Sequence, residues 1–139
     1  EELYKASREG VKIKMIVRGI CCLLPENEKN IEVRSVVDRF LEHTRFFIFN
    51  NNGKNETYIS SADWMTRNLD NRVEVTCPIL DPNIKKEIND IFEIYWSDNV
   101  KSRTVNNEIP NQYQINQNSK KLIRSQIEIN NYYKSKLEK

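Results

Sequence analysis

Glycine is scarce in this sequence, with three glycines in 139 residues. Neither a G-x-x-x-x-G-K-S/T loop nor a G-x-G-x-x-G turn occurs, and both motifs need glycines so that main-chain N–H groups can surround a phosphate. The sequence therefore excludes a P-loop or Rossmann nucleotide site. No serine or cysteine stands in a nucleophile elbow, which argues against serine-hydrolase chemistry.

Long apolar runs and paired cysteines are also missing. No run approaches the roughly 20 residues of a membrane-spanning helix, and the start "EELYKASREG" predicts a helix rather than a signal peptide. We therefore expect a cytoplasmic protein without a transmembrane segment. Cys21, Cys22 and Cys77 lack C-x-x-C spacing, and a single histidine cannot complete a zinc site. We expect reduced, mostly buried thiols and no metal ligands in this chain.

The composition is typical of one folded domain. Hydrophobic residues make up 38% of the chain and charged residues of both signs 30%, which is not the composition of a disordered chain. The length also favours a single domain. The sequence starts at Glu1 without an initiator Met and enters a helix at once, so we expect a piece of a longer polypeptide.

Basic residues are concentrated at the C-terminal end. Eight Lys or Arg and three Glu follow Val100, which gives this tail a net charge of +5. A polyanion would be attracted to such a tail, although a solvated helix face is the plainer interpretation. No RNP-type motif, zinc finger or helix-turn-helix signature accompanies it, and we expect no nucleic-acid partner.

The first part of the chain predicts a helix followed by strands. Residues 2–9 form a helix that Gly10 ends, and the alternation in "VKIKMIVRG" predicts a strand over 11–17. Arg18 then lies at the carboxyl end of a strand, where ligands collect in open α/β sheets. Residues 31–37 are expected to be extended.

A β-hairpin follows the histidine. A turn or short helix over 38–42 leads to His43, and "RFFIFN" pairs with "ETYISS" across the turn "NNNGKN". "RVEVTCPI", from Arg72, is expected to be a further strand.

The C-terminal half predicts two helices. The first has Asp81 as its N-cap and Pro82 in its first turn, and its apolar face comprises Ile84, Ile88, Ile91, Phe92 and Tyr95. Residues 98–118 are expected to be irregular, and a last helix covers 119–137 with a buried stripe of Leu122, Ile129, Tyr133 and Leu137. The whole pattern predicts an α/β fold.

His43 is the only histidine of the chain. A single imidazole is more often solvated or structural than catalytic, but several arginines near strand ends accompany this one. Arginine forks bind phosphoryl oxygens, and an imidazole can attack phosphorus or transfer a proton to a bridging oxygen. The residues therefore suit phosphate chemistry.

Four stretches of the sequence closely resemble the C-terminal catalytic domain of bacterial polyphosphate kinase. They are "LYKASREGVKIKMIVRGICCLLP", "SVVDRFLEHTRFFIFNNNG", "YISSADWMTRNLDNRVEVTCPILDP" and "KKLIRSQIEI". The resemblance covers nearly the whole chain, 1–139, and implies a phospholipase D-like mixed sheet flanked by helices. It also makes His-x-Arg and "SSAD" the counterpart of the phospholipase D His-x-Lys arrangement.

The resemblance implies a reversible transfer of the terminal phosphate of ATP to inorganic polyphosphate. A phosphohistidine in a preceding domain carries the phosphate, so this chain alone is expected to be inactive. His43 matches a histidine that contacts ATP and assists proton transfer, and Arg18 matches a nucleotide-phosphate ligand. Arg72 resembles a further phosphate-facing arginine. Magnesium ligands are expected upstream, the partners are ATP or ADP, polyphosphate and the upstream domains, and the full-length enzyme is expected to be a homo-oligomer.

Each candidate also has a structural interpretation. Arg72 could be an exposed residue at a strand start, and Arg18 could pair with Asp38 or Glu42. Asp63 could orient His43 or cap the turn after "SSA".

Arg45 and Arg67 could form ion pairs within the domain. Thr44 departs from the acidic residue that often follows the histidine in the family, and the loop "PENEKN" is short.

Two other functions compete with the kinase. One is a non-catalytic polyanion-binding module, and the other is a phospholipase D-type phosphodiesterase half-domain that dimerises to pair two copies of His43. Phosphate transfer and diester cleavage would separate the three.

Overall fold

The computed structural model describes residues 1–25, 28–106, 113–114 and 121–138. The elements in chain order are α1 (Glu2–Arg8), β1 (Ile13–Val17), β2 (Ile31–Val36), β3 (Phe46–Phe49), a 3-10 turn (Asn51–Gly53), β4 (Glu56–Ser60), α2 (Thr66–Asn71), β5 (Thr76–Pro78), α3 (Pro82–Trp96), β6 (Ser102–Thr104) and α4 (Ser125–Leu137). The predicted α/β class is confirmed, with two small three-stranded sheets rather than one.

The chain divides into two compact units. The first unit consists of residues 1–42 and those from 93 onward, and the second of residues 43–92. No helix in the described ranges is long and apolar enough to cross a membrane.

The first unit contains a mixed sheet in the order β1-β2-β6. β1 and β2 are parallel, and β6 is antiparallel to β2. The central strand supplies the most buried apolar side chains, Ile31, Val33 and Val36, because β2 has a neighbour on each side. As predicted, α1 ends before Gly10, which has a φ of +90° and donates its main-chain N–H to Ser7 O at 3.0 Å.

The second unit contains an antiparallel sheet in the order β3-β4-β5. The predicted hairpin is confirmed, with Phe47 opposite Tyr58. Its turn requires left-handed backbone at Asn51 (φ 41°), Asn52 (φ 52°) and Gly53 (φ 84°), and Asn and Gly are the residues that adopt this conformation at least cost.

The predicted start of α3 is confirmed. Asp81 Oδ1 accepts hydrogen bonds from the main-chain N–H groups of Asn83 at 2.7 Å and Ile84 at 3.1 Å, so it satisfies two donors that the first helical turn leaves free. Of the predicted apolar face, Ile91 is buried, whereas Ile84 is exposed.

Several predicted elements differ in the structure. The predicted strand from Arg72 is reduced to β5, and the segment before it forms the unpredicted helix α2. The short β6 lies in the stretch expected to be irregular; residues 107–112 and 115–118 of that stretch lie outside the described residues. Residues 38–42 bend without forming a helix.

The last helix and the cysteines also need correction. α4 begins at Ser125, and residues 119–120 of the predicted helix are not among those described. Leu122 and Leu137, expected in the buried stripe, are 77% and 88% exposed, because one precedes the helix and the other is its last residue. Cys22 and Cys77 are exposed rather than buried, and all three thiols are free.

Candidate functional site

His43 is an exposed residue of the second unit, three positions before β3. Its ring contacts Arg45, whose Nη1 lies 3.3 Å from Nδ1 and 3.5 Å from Nε2. The same Nη1 donates to the main-chain oxygen of His43 at 3.1 Å. The imidazole is therefore open to solvent on one side and in contact with a guanidinium on the other.

Arg45 forms a bidentate ion pair with Asp63. Arg45 Nε lies 2.8 Å from Oδ1 and Nη2 lies 3.2 Å from Oδ2, and the two side chains are only 15% and 21% exposed. The hydrogen bond to Asp63 raises the pKa of Arg45 further above its usual range. The structural ion pair considered for Arg45 is thus present, and Asp63 contacts His43 through this arginine.

The "SSADW" segment connects β4 to the stretch before β5. Ser61 Oγ donates to Glu74, and Asn68 Nδ2 donates to the same carboxylate at 2.8 Å. These hydrogen bonds, with the nearby charges of Arg72 and Arg45, lower the pKa of Glu74. The serine therefore has a structural role, and it holds the segment that carries Asp63.

Arg72 and Arg67 are exposed. Neither forms a hydrogen bond or an ion pair with another residue that the structure describes. Arg72 is the residue that follows α2, not the start of a strand as predicted. Both guanidinium groups are accessible to a ligand from solvent.

Arg18 belongs to the first unit and directly follows β1, as predicted. Its Nη1 donates to the main-chain oxygen of Glu42 at 2.6 Å. The Glu42 carboxylate accepts hydrogen bonds from Tyr95 Oη at 2.5 Å and Gln126 Nε2 at 2.6 Å. Arg18 is therefore half-buried and oriented by the residue that precedes His43 in the chain.

Residues 38–42 are held in place by the start of α4. Arg124 donates through Nε and Nη2 to the two oxygens of Asp38, each at 2.7 Å, and this hydrogen bonding lowers the pKa of Asp38. The Gln126 side chain accepts a hydrogen bond from the main-chain N–H of Phe40 and donates one to its main-chain oxygen. The roles of Arg124, Gln126 and Tyr95 in holding residues 38–42 were not predicted, because contacts across 50 to 90 positions leave no local pattern in the sequence.

The structure brings some of the candidates together. His43, Arg45 and Asp63 form one cluster in the second unit, and Arg72 belongs to the same unit without contacting that cluster through a hydrogen bond. Arg18 belongs to the first unit. The His43 cluster offers one exposed imidazole with a fixed cation beside it, a combination that can transfer a proton next to a phosphate group.

No group of three or more His, Cys, Asp or Glu that could hold a metal ion exists in the described ranges. The expectation that the magnesium ligands lie upstream of this chain remains a prediction. A cavity of about 330 Å³ in the first unit is lined in part by Arg34, Trp96 and Asp98. None of the predicted site residues lines it.

A family model, curated relatives and a solved structure all match this chain. The family model of the polyphosphate kinase C-terminal domain 2 matches residues 1–126. The polyphosphate kinase of Klebsiella pneumoniae is 50% identical over 138 residues, which cover 97% of this chain and 20% of that protein. The polyphosphate kinase of Vibrio parahaemolyticus is 51% identical over 136 residues, 96% of this chain and 19% of that protein.

A solved structure also matches. The crystal structure of the polyphosphate kinase from Porphyromonas gingivalis superimposes with a TM-score of 0.94 at 49% identity, and the match covers 99% of this chain and 21% of that one. The chain thus spans about a fifth of the length of its relatives.

Proposed function

We propose, because the chain belongs to the polyphosphate kinase C-terminal domain 2 family, that residues 1–139 are a C-terminal catalytic domain of a polyphosphate kinase. The full-length enzyme would transfer the terminal phosphate of ATP reversibly to inorganic polyphosphate. The observation that carries this proposal is the identity of about half of all residues to polyphosphate kinases over nearly the whole chain. The arrangement around His43 supports it.

His43 is proposed to contact ATP and to assist proton transfer. The exposed ring can approach a bound phosphate, whereas a core histidine could not. Arg45 Nη1 can only donate, so any hydrogen bond to the ring uses a nitrogen that carries no proton. Arg45 Nη1 lies at nearly equal distances from Nδ1 and Nε2, and a ring nitrogen that carries a proton can donate it to a phosphate oxygen.

The phosphate itself is proposed to travel on a histidine of an upstream domain. His43 is the only histidine in this chain, and its assigned role is that of an acid or base rather than a nucleophile. The chain alone should therefore not complete the transfer. The upstream domains are its first partners under this proposal.

Arg18 and Arg72 are proposed to bind phosphoryl oxygens. Guanidinium groups bind such oxygens through charge-assisted, often bidentate hydrogen bonds. Arg72 is exposed and has no hydrogen bond within the described residues, so no such hydrogen bond must break before it binds. Arg18 keeps one nitrogen on Glu42 O, which fixes the direction of its fork. Magnesium is proposed to be held by residues upstream of this chain.

The test compares His43→Ala with Arg67→Ala in the full-length enzyme. Removing a positioned proton-transfer group should depress polyphosphate synthesis about 100- to 10,000-fold, while the melting temperature stays within 2 °C or so because His43 is exposed. Arg67→Ala is the matched control, since Arg67 is an exposed side chain of the same unit. Normal synthesis by His43→Ala would refute the proposed role.

A second measurement uses this chain alone. After incubation with ATP and magnesium, no acid-labile phosphate should appear on it, because the acceptor histidine lies elsewhere. Stable phosphorylation of His43 would make it the nucleophile. Diester cleavage by the chain would instead identify a phosphodiesterase half-domain, and polyphosphate binding without any transfer in the full-length protein would identify a polyanion-binding module.

A further inference from the structure

Every nitrogen of the Arg45 guanidinium has a hydrogen-bond partner within the protein. Nε and Nη2 bind the two oxygens of Asp63 at 2.8 and 3.2 Å, and Nη1 faces the ring and the main-chain oxygen of His43. An arginine that binds a phosphate through its fork needs two adjacent nitrogens. Arg45 uses its Nε/Nη2 fork for Asp63, and its side chain is only 15% exposed, so little of the guanidinium is open to a phosphate from solvent.

Main-chain pairing fixes both ends of this ion pair. The N–H of Ser60, the last residue of β4, donates to the main-chain oxygen of Arg45 at 2.9 Å. Asp63 lies three residues after Ser60, whose Oγ accepts a hydrogen bond from the main-chain N–H of Ala62 at 3.1 Å. Arg45 and Asp63 are thus built into the hairpin, and their side chains have little freedom.

His43 has no comparable restraint of its own. Its side chain is exposed and lies outside any strand, so packing does not select one ring orientation. The contact with Arg45 is the one that joins the ring to a rigid part of the unit. An exposed side chain without such a contact would exchange between rotamers within nanoseconds.

We propose that Arg45, held by Asp63, is a positioning residue that sets the orientation of the His43 ring and is not itself a phosphate ligand. This inference rests on the proposed function only for its effect on catalysis. Whether Arg45 restrains the His43 ring can be tested independently of the reaction.

The first experiment measures the His43 ring directly. Because the chain has a single histidine, its ring carbons give one set of NMR signals, and their relaxation reports the order of the ring. The order parameter should fall below about 0.6, the range of flexible groups, in Arg45→Ala, Arg45→Lys and Asp63→Asn. Lysine keeps the charge but cannot bridge Asp63 and His43 with a planar fork.

Matched controls are available in the same unit. Arg67→Ala and Asp70→Asn remove an exposed arginine and an exposed aspartate, and both should leave the ring order unchanged. Ring order that is the same in Arg45→Ala, Asp63→Asn and the wild type would overturn the inference. A normal order in Arg45→Lys alone would also contradict it, because charge rather than the fork would then suffice.

The second experiment measures kinetics in the full-length enzyme. If Arg45 positions the ring, Arg45→Ala should lower kcat about 10- to 100-fold, as expected when a catalytic group is misplaced by about 1 Å, with KM for ATP nearly unchanged. Asp63→Asn should lower kcat in the same direction, and the double variant should be no worse than Arg45→Ala, because the two residues act as one unit.

The outcomes separate this inference from the proposed function. A raised KM for ATP with unchanged kcat in Arg45→Ala would make Arg45 a phosphate ligand and overturn the inference. If His43→Ala retains activity, the proposed function fails while the ring-order result still stands. If His43→Ala is inactive but the Arg45 and Asp63 variants keep wild-type kcat, only the positioning role fails.

Discussion

Replacement of Asp98 should destabilise the first unit more than any exposed substitution. Asp98 is 1% exposed, and its Oδ1 accepts hydrogen bonds from the main-chain N–H groups of Val100, Lys101 and Ser102 at 2.9, 2.7 and 3.1 Å. Its Oδ2 accepts a fourth, from Ser125 at 2.7 Å. One carboxylate therefore joins the end of α3, the start of β6 and the first residue of α4.

The expected magnitude follows from these four donors. Asp98→Ala leaves them without this acceptor, and each unsatisfied buried donor costs about 1–3 kcal/mol. The variant also escapes the cost of burying a charge, which offsets part of the loss. We expect the free energy of unfolding to fall by about 3–5 kcal/mol, near the upper limit for single substitutions. Asp98→Asn keeps one carbonyl oxygen and should lose about 2 kcal/mol.

Urea denaturation followed by tryptophan fluorescence can measure this loss. Trp96 is buried in the first unit, and Trp64 is an exposed residue of the second, so a Trp64→Phe background leaves a reporter near Asp98. The matched control is Asp70→Asn, an exposed aspartate that should change the free energy of unfolding by less than about 0.5 kcal/mol. A loss in Asp98→Ala no larger than that of the control would refute the reasoning.

The loss of unfolding free energy in the Asp98 variants should also depend on pH. Burial raises the pKa of Asp98, but the hydrogen bonds from the main-chain N–H groups of Lys101, Ser125 and Val100 outweigh it, so the pKa lies below its usual range. The unfolded chain then binds the proton more readily. The stabilisation is complete above the unfolded pKa of about 3.9 and is lost as the pH falls through the lower folded pKa. The difference between wild type and Asp98→Asn should therefore narrow below about pH 4.

Three further predictions concern other residues. Arg124→Ala should lower the free energy of unfolding by about 2–4 kcal/mol in urea, because it leaves the buried carboxylate of Asp38 without its bidentate partner, and Arg124→Lys should not restore it. Gly10→Ala should cost about 1–2 kcal/mol in thermal melting through backbone strain alone, since a Cβ would meet nothing within 4 Å at a φ of +90°; an unchanged melting point would contradict this. Arg72→Ala in the full-length enzyme should raise KM for ATP about tenfold without lowering the melting temperature, and an unchanged KM would argue against phosphate binding.

The elements that the sequence predicted correctly are those with local causes. Alternating side chains define β1, left-handed Asn and Gly residues define the turn of the β3–β4 hairpin, and Asp81 with Pro82 defines the start of α3. Each of these signals acts within a few residues of the element that it determines. Local chemistry was therefore enough to place Arg18 at a strand end and His43 before the hairpin.

The elements that the sequence predicted wrongly depend on distant contacts. α2 has six residues, and its apolar residues do not recur at helical spacing. Hydrogen bonds from Ser61 and Asn68 to Glu74 connect this helix to the segments before and after it. β6 has three residues and pairs with β2 across about 70 positions. Neither leaves a pattern that a short window of sequence could reveal.

α4 shows why hydrophobic periodicity failed at the C-terminal end. Arg124 is extended because it is the N-cap residue and binds Asp38, and Ser125 donates to Asp98, so the helix starts at this polar junction. Ser125 is buried and Glu128, Ile129 and Tyr132 are partly buried. Of the predicted stripe, Leu122, Tyr133 and Leu137 are exposed.

Contacts between residues that are distant in the sequence also limit how far the candidate site could be predicted. The sequence left two roles open for Asp63, which lies 20 positions after His43: it could orient the histidine or cap the turn after "SSA". In the structure, the guanidinium of Arg45 lies between the Asp63 carboxylate and the His43 ring. A sequence shows which charges lie near a histidine, but the bidentate geometry of one ion pair decides which of them touches it. Although the resemblance makes His-x-Arg the counterpart of the phospholipase D His-x-Lys arrangement, these contacts are the reason that Arg45 is proposed to orient the histidine rather than to bind phosphate.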